Sequence, residues 1–385
     1  MAEVAGALPP QPAAKVSDII KNYRASKSFR GTPKPDGLPS NVTSLDFDDQ
    51  GDYLVASGDD ETLQVFDIKE GKLTKTVPSK KYGVHLAKFT HHSRQILHAS
   101  TKVDGELSPW SKIASLAIPF LTWEATDSLR LLDLHNESYL RYFAGHTDRV
   151  TSLAVSPGTD AVLSCSKDDT VALWDLNSRN AQGKLKLATP YLVAFDPSGS
   201  VIAIASQSTS SVLLYDFRNY DKPPFATFDL APQEDRFTPS TRGRAWTRLE
   251  FSNDGKHLLV GTDYHGHFLL DAFEGNIKAF LIGKSGPTGR AAPVSSSGKP
   301  LGQGDVCFTP DGRYVLGGAG DQSDTLVWDT QQSPDASLFL KPAFRLPYRA
   351  RSVIVQANPR YNMFATADKE ITFWLPDDNA KPAEK

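Results

Sequence analysis

Residues 145–176 read GHTDRVTSLAVSPGTDAVLSCSKDDTVALWDL, which brings a histidine, several serines and several aspartates into one short window. In a hydrolytic triad an acid orients an imidazole, and the imidazole takes the proton of a serine hydroxyl that attacks the substrate. The side chains that could serve this chemistry, together with the indole that closes the window, are His146, Ser164, Ser166, Asp168 and Trp174. A nucleophile also needs an open cleft beside it, which depends on the elements that carry these residues.

The window is one of seven similar units. Apolar residues alternate with a period of two, and turns such as SPGTD and DPSGS separate the runs, which indicates short strands. Besides residues 145–176, clear copies begin at Val42, Tyr191, Trp246 and Asp305, and degenerate copies begin at Val84 and Ser352. A Gly-His opening, a Trp-Asp close and a period of about 41 residues are typical of a WD-repeat blade. The sequence therefore predicts an all-β fold, a seven-bladed WD-repeat β-propeller.

This fold gives the triad-like window a structural interpretation. In blades of WD-repeat proteins, a loop histidine, a strand serine, a turn aspartate and the closing tryptophan form a buried hydrogen-bonded chain. Here these places are occupied by His146, Ser164 or Ser166, Asp168 and Trp174. We therefore expect a structural network with no exposed nucleophile. Asp60 lies six residues before the closing Phe66, just as Asp168 lies six residues before Trp174. This spacing predicts the same network in the first unit, but incomplete, because that unit lacks the loop histidine.

Other chemistry-bearing stretches predict no further site. His265 and His267 alternate on a strand, but no third ligand lies at a usual metal spacing. His91 and His92 fall in a polar turn, where solvated side chains are expected. The glycine-rich stretch at Gly317 is interpreted as a turn, because no phosphate-binding helix follows it. We expect no catalytic residue, no metal, no cofactor and no enzymatic activity.

The composition predicts a soluble protein that stays inside the cell. The 385 residues carry a formal net charge of -3 and 39% hydrophobic residues, enough to bury a full core. Two cysteines, Cys165 and Cys307, suit a reducing compartment. The first residues lack a secretory signal, and no apolar run approaches the ~18 residues of a membrane span. The acidic balance argues against broad, charge-driven nucleic-acid binding, so neither a membrane nor sequence-specific nucleic acid is an expected partner.

The ring needs a strand that completes its last blade, because an open sheet edge pairs with other chains. Residues 17–30, SDIIKNYRASKSFR, are strand-like and predict an N-terminal strand that closes blade seven. The predicted organisation is a propeller over residues 17–375 with disordered tails at residues 1–16 and 376–385.

Several stretches are more specific than a generic WD repeat. They include DIIKNYRASKSFRG, SKKYGVHLAKFTHHSRQILHAST, LRLLDLHNESYLRYFAGHTDRVTSLAVSP and SVLLYDFRNYDKPPF. These resemble the WD-repeat subunit shared by the COMPASS histone lysine methyltransferase complex and the cleavage and polyadenylation factor. The resemblance implies a nuclear, non-catalytic scaffold that docks the N-terminal region of the methyltransferase and joins subunits of the cleavage and polyadenylation factor. It also implies roles in mRNA 3′-end processing and transcription termination, and a link to RNA polymerase II phosphorylated on its C-terminal repeats.

The loops predict a partner-binding face. In a propeller, the turns between second and third strands and the links between blades open on one side, and the enlarged segments 102–127, 231–244 and 284–303 all fall there. Within the first, residues 103–126 are too apolar for a solvated loop and are either a docking element or an artefact of the gene model. The same side carries Lys80, Lys81, Tyr82, Arg149 and Lys167. These residues predict either an ordinary solvated surface or a phosphopeptide site in which Tyr82 packs beside a proline.

Two functions from other classes are alternatives to a scaffold. YDFR at residues 215–218 comes near the Trp-Asp-x-Arg box of substrate receptors of cullin-type ubiquitin ligases, although tyrosine replaces tryptophan. A propeller hydrolase would need an exposed acid pair or nucleophile at a recognisable spacing, and the sequence offers neither. The scaffold is the favoured function, and the ubiquitin-ligase receptor is the alternative.

Overall fold

The structure is a computed structural model that describes residues 15–31, 37, 39–102, 128–206, 208–237, 245–286 and 303–377. Its strands form seven separate sheets that follow one another along the chain. The first strands of neighbouring sheets contact each other around a closed ring. This arrangement confirms the predicted all-β, seven-bladed β-propeller.

The chain enters the described structure through α1 Val16–Ile19, a 3₁₀ turn Ile20–Asn22 and β1 Tyr23–Arg30. Blade one contains, from the inside outwards, β2 Val42–Phe47, β3 Tyr53–Gly58, β4 Thr62–Asp67 and β5 Lys72–Pro78. Blade two contains β6 His85–Phe89, β7 Gln95–Ala99, β8 Ser128–Asp133 and β9 Ser138–Ala144. Blade three contains β10 Val150–Val155, β11 Ala161–Ser166, β12 Thr170–Asp175 and β13 Gly183–Lys186.

Blade four contains β14 Pro190–Phe195, β15 Val201–Ser206, β16 Ser211–Asp216 and β17 Ala226–Asp229, with a 3₁₀ turn Phe217–Asn219. After α2 Ala231–Phe237, blade five contains β18 Trp246–Phe251, β19 His257–Thr262, β20 Gly266–Asp271 and β21 Ile277–Ile282. Blade six contains β22 Val306–Phe308, β23 Tyr314–Gly318, β24 Thr325–Asp329 and β26 Phe344–Leu346. Between its last two strands, β25 Phe339–Leu340 pairs in parallel with β21 of blade five.

Blade seven is completed by the N-terminal strand. It contains β27 Ile354–Ala357, β28 Phe364–Ala367, β29 Glu370–Pro376 and, on the outside, β1 antiparallel to β29. The predicted closure is confirmed, but the strand begins at Tyr23 and not at residue 17. The preceding residues are helical because Ile19 and Ile20 pack with Tyr23 into the core between blades six and seven. Strand β1 also contacts blade one, where the Phe29 ring centroid lies 5.0 Å from that of Phe66.

The hydrophobic core lies between neighbouring blades, since both faces of each sheet carry buried residues. The inner strands surround a central channel with a cavity volume of about 840 Å³. The turns between second and third strands and the links between blades open on one face of the ring, which we call the connection face. Residues 1–14, 103–127 and 378–385, which include most of both predicted tails and the apolar insertion, lie outside the described residues. No described helix has the length and apolar character needed to cross a membrane.

Candidate functional site

The triad-like residues of blade three form one continuous chain of hydrogen bonds. His146 lies in the link that precedes β10, and its Nε2 is 2.7 Å from the Ser164 hydroxyl on β11. The Trp174 indole N–H, at the end of β12, donates to the same hydroxyl oxygen over 2.8 Å. On the other side of the ring, His146 Nδ1 lies 3.1 Å from Asp168 Oδ2. The backbone N–H of Thr147 also donates to this carboxylate oxygen, over 2.8 Å.

The direction of each proton in this chain follows from the groups at its two ends. The Asp168 carboxylate can only accept, so the neutral His146 ring carries its proton on Nδ1 and donates it to Asp168. His146 Nε2 then accepts from the Ser164 hydroxyl, whose oxygen accepts the indole N–H of Trp174. Burial lowers the pKa of His146, which keeps the ring neutral, and the Asp168 charge opposes that effect only in part. Burial would raise the pKa of Asp168, but hydrogen bonds from Thr170, Thr147 and His146 hold it below its usual value.

This geometry does not suit nucleophilic attack. Ser164 and His146 are both fully buried, and the serine hydroxyl is already engaged by the indole. The Ser166 hydroxyl makes different contacts from that of Ser164: it donates to the Asp148 carbonyl over 2.9 Å and accepts the Asp168 backbone N–H over 3.2 Å. In blade one, Asp60 accepts hydrogen bonds from the backbone N–H and hydroxyl of Thr62, at 3.2 and 2.8 Å.

Blade two holds a different cluster in place of this chain. His98, Arg130 and Tyr142 lie opposite one another across β7, β8 and β9. The ring of Tyr82, from the preceding link, stacks on the buried Arg130 guanidinium with 3.7 Å from its carbon to the ring centroid. Tyr139 packs against Tyr82 with 5.5 Å between ring centroids. Sequence reasoning found Tyr82 but missed its partners, since the unit is degenerate and its cross-strand register was not evident.

The five predicted partner-binding residues lie in two groups on the connection face. Lys81 and Tyr82 are adjacent, with the ammonium nitrogen 4.9 Å from the ring centroid, and Lys80 is exposed beside them. Arg149 and Lys167 line the mouth of the central channel, where the Lys167 backbone N–H donates to the Arg149 carbonyl over 3.0 Å. The structure therefore brings Lys81 together with Tyr82, and Arg149 together with Lys167.

The wall of the channel carries paired charges. Lys88 and Asp46 form an ion pair of 2.8 Å between blades two and one. Arg248 pairs with Glu250 over 2.8 Å, and its Nη2 donates to Gln356 Oε1 across from blade seven over 2.8 Å. The Lys88–Asp46 and Arg248–Gln356 contacts join inner strands of different blades, whereas the Arg248–Glu250 pair lies within β18.

Gln303 makes contacts with a distant blade. Gln303, at the end of the link between blades five and six, donates its backbone N–H to the Thr43 carbonyl of blade one over 3.1 Å. Its side-chain oxygen accepts from the Leu45 backbone N–H over 2.9 Å. Gln303 is therefore held against the inner strand of blade one, which sequence reasoning did not foresee.

The remaining sequence candidates have structural environments. His267 is buried, and its Nδ1 accepts the Thr262 backbone N–H over 3.0 Å. Within the described ranges, no three His, Cys, Asp or Glu side chains are grouped as metal ligands. Gly317 and Gly318 end β23, with the Trp328 ring packed against Gly317, and the rest of the glycine-rich stretch forms the predicted turn to β24. In the YDFR stretch, Tyr215 is buried and Arg218 is exposed.

Comparison with known proteins agrees with this architecture. The WD domain, G-beta repeat family matches residues 32–67 and 137–175. WD repeat-containing protein 82 of Drosophila melanogaster is 33% identical over 94% of this chain and 96% of its own. COMPASS component SWD2 of Saccharomyces cerevisiae is 33% identical over 93% of this chain and 97% of its own. The chain belongs to the WD-repeat family that contains these two proteins. Set1 complex component swd2 of Schizosaccharomyces pombe is 35% identical over 74% of this chain and 70% of its own.

Family membership confirms the resemblance that the sequence stretches indicated. The similarity to the first two relatives spans nearly the whole of each chain, so it covers all seven blades. Membership of this WD-repeat family thus explains the fold. The two cation groups and the blade-two cluster are observed in the structure of this chain and not in the comparisons.

His91 bridges three consecutive blades on the face opposite the connection face. It lies in the β6–β7 turn, and its Nδ1 is 2.7 Å from Asp49 Oδ2 in the β2–β3 turn. Its Nε2 lies 3.0 Å from the Ser156 carbonyl and 3.1 Å from the Thr159 carbonyl in the β10–β11 turn. The expectation of a solvated side chain is therefore wrong for His91. Since all three partners are acceptors, the ring satisfies them best when both nitrogens carry a proton.

We expect the contribution of His91 to stability to depend on pH. The hydrogen bond to Asp49 raises the pKa of His91 above its ordinary 6.5, against an opposing effect of burial. The stabilisation is therefore full below pH 6.5 and is lost as the pH rises through the higher folded-state value. His91→Ala should be more destabilising at pH 5.5 than at pH 8, by about 0.5 kcal/mol in urea unfolding. His92→Ala is the control, and an equal effect of His91→Ala at both pH values would refute the bridge.

Proposed function

We propose that this protein is a non-catalytic nuclear scaffold subunit of a COMPASS-type histone lysine methyltransferase complex. In this role it docks the N-terminal region of the methyltransferase. The same subunit serves mRNA 3′-end cleavage and polyadenylation and transcription termination, and it links these machineries to phosphorylated RNA polymerase II. The observation that carries the proposal is the similarity over nearly full length to COMPASS component SWD2, joined by that to Set1 complex component swd2.

The chemistry of the described residues is consistent with a scaffold. The one triad-like constellation has an inaccessible hydroxyl, and its histidine is held by hydrogen bonds on both sides. A rigid ring of seven blades offers separate surfaces to several partners, which suits a subunit shared between complexes.

Affinity purification of the tagged full chain from its own organism, followed by mass spectrometry, tests this proposal. We expect methyltransferase subunits and cleavage and polyadenylation subunits to co-purify. Recovery of a cullin-type ligase adaptor without these subunits would support the alternative reading of YDFR at residues 215–218 and overturn the scaffold proposal.

For the polymerase link, we propose a weak phosphopeptide site on the connection face that uses Lys80, Lys81, Tyr82, Arg149 and Lys167. A charge-assisted contact to phosphate contributes roughly 1.5–3 kcal/mol before ordering costs, so two or three contacts reach only micromolar affinity. A target with many repeats compensates by avidity.

Lys80→Glu with Lys81→Glu should abolish binding of a phosphorylated polymerase repeat peptide and leave the fold and the methyltransferase contact intact. Fluorescence anisotropy at two salt concentrations measures this, since a charge-driven contact weakens with salt. Arg149→Glu with Lys167→Glu tests the second group in the same assay. Equal affinity for phosphorylated and unphosphorylated peptides, or no effect of either double reversal, would contradict the site.

A further inference from the structure

The outer strands of the seven blades differ sharply in charge. Those of blades seven, one, two and three are β1, β5, β9 and β13, and together they carry eight Lys or Arg residues and no Asp or Glu. The eight are Arg24, Lys27, Arg30, Lys72, Lys75, Arg141, Lys184 and Lys186. The fourth strands of blades four, five and six, β17, β21 and β26, carry only Lys278, Arg345 and the acidic Asp229. The cations therefore follow one continuous arc of the rim, which we call the basic rim.

Protection of sheet edges explains only part of this pattern. Lysine on an outer strand does discourage edge-to-edge pairing between molecules. However, blades four and six present their edges with a single charged residue each, and blade five covers its edge with β25. The excess on the other four blades therefore needs a second cause.

Several cations of the basic rim are available to a ligand. Among the described residues, Arg30, Arg141 and Lys186 have no ion pair or side-chain hydrogen bond, and Arg30 and Lys186 are exposed. Lys75 donates to the Leu134 carbonyl and pairs with Glu137 over 3.1 Å, and a polyanion can displace the surface ion pair at little cost.

Exposed apolar side chains alternate with these cations. Leu73 is 41% exposed between Lys72 and Lys75 on β5. Leu140 and Tyr142 are 46% and 47% exposed and flank Arg141 on β9. A DNA duplex keeps its base faces stacked inside, whereas unpaired bases have accessible apolar faces that pack on such side chains.

We infer that the basic rim is a sequence-independent binding surface for single-stranded nucleic acid. The backbone phosphates run along the cations of blades one to three, and a base stacks on Tyr142. The net charge of the whole chain does not oppose this surface, because the cations are concentrated on one arc. The inference does not rest on the proposed scaffold function, and its surface adjoins the phosphopeptide site, since Tyr142 packs against Tyr82 with 6.1 Å between ring centroids.

Fluorescence anisotropy of the full chain with a labelled 20-mer of uridine, a 20-mer of thymidine and a 20-base-pair duplex tests this inference. We expect both single strands to bind more tightly than the duplex, and the comparison between them shows whether RNA or DNA is preferred. Arg141→Glu with Lys186→Glu should weaken binding about tenfold or more. The slope of log affinity against log salt should fall in magnitude by roughly 1.4, since each lost contact removes about 0.7. Tyr142→Ala should weaken binding about fivefold with the slope unchanged.

The matched control is Arg218→Glu with Lys341→Glu, which makes the same change of net charge on exposed positions of blades four and six. This control should stay within twofold of the unmodified chain. All variants are checked for unchanged thermal unfolding. Absence of binding, an equal loss in the control, or tighter binding of the duplex or of polyglutamate would overturn the inference.

Discussion

Deletion of residues 17–30 should abolish cooperative unfolding and cause aggregation. The deletion removes β1, which pairs with β29 along the outer edge of blade seven, and so exposes a full strand edge. It also removes Tyr23, whose ring contacts Phe364 at 5.2 Å between centroids, and the contact of Phe29 with Phe373 at 5.5 Å. Differential scanning calorimetry and light scattering measure the two effects.

Deletion of residues 1–14 is the matched control and should leave unfolding unchanged. A point variant separates edge protection from packing. Phe29→Ala keeps the strand but removes a half-buried ring between blades seven and one, and should cost about 2 kcal/mol without aggregation. If both truncations melted alike, the ring would not depend on its N-terminal strand.

Asp168→Ala should lower the melting temperature and weaken every partner interaction together. The substitution removes the carboxylate that accepts hydrogen bonds from His146 Nδ1 and from the Thr147 backbone N–H. A buried polar group left without a partner costs on the order of 1–3 kcal/mol. Chemical unfolding followed by circular dichroism measures this loss.

Ser164→Ala acts on the same chain of hydrogen bonds, so its effect should not add to that of Asp168→Ala in the double variant. Asp148→Ala, on an exposed residue of the same link, is the control and should have little effect. Loss of one partner at an unchanged melting temperature would instead assign Asp168 to a binding site.

The fold could be predicted from the sequence because every unit repeats the same local signals. Alternating apolar residues and turn residues define each blade, and even the degenerate unit that ends at Trp374 keeps the order of three strands. The closing strand was also predictable, since the ring left one edge open. Its start was not, because Ile19 and Ile20 are as apolar as strand residues and become helical only through tertiary packing.

The site was less predictable because its contacts depend on register and turn geometry. Ser164 and Ser166 are equivalent in sequence, and only the position of the Trp174 indole selects Ser164. The stacking of Tyr82 on Arg130 joins residues on either side of segment 103–127. His91 gains its partners from turns of two other blades, which no local pattern reveals.

Binding to the N-terminal region of a COMPASS-type methyltransferase tests the central claim most directly. The purified full chain is mixed with that region from the same organism and examined by size-exclusion chromatography with light scattering. We predict a stable complex with one copy of each chain. If the chain eluted alone under these conditions and instead formed a complex with a cullin-type ligase adaptor, the scaffold assignment would be contradicted.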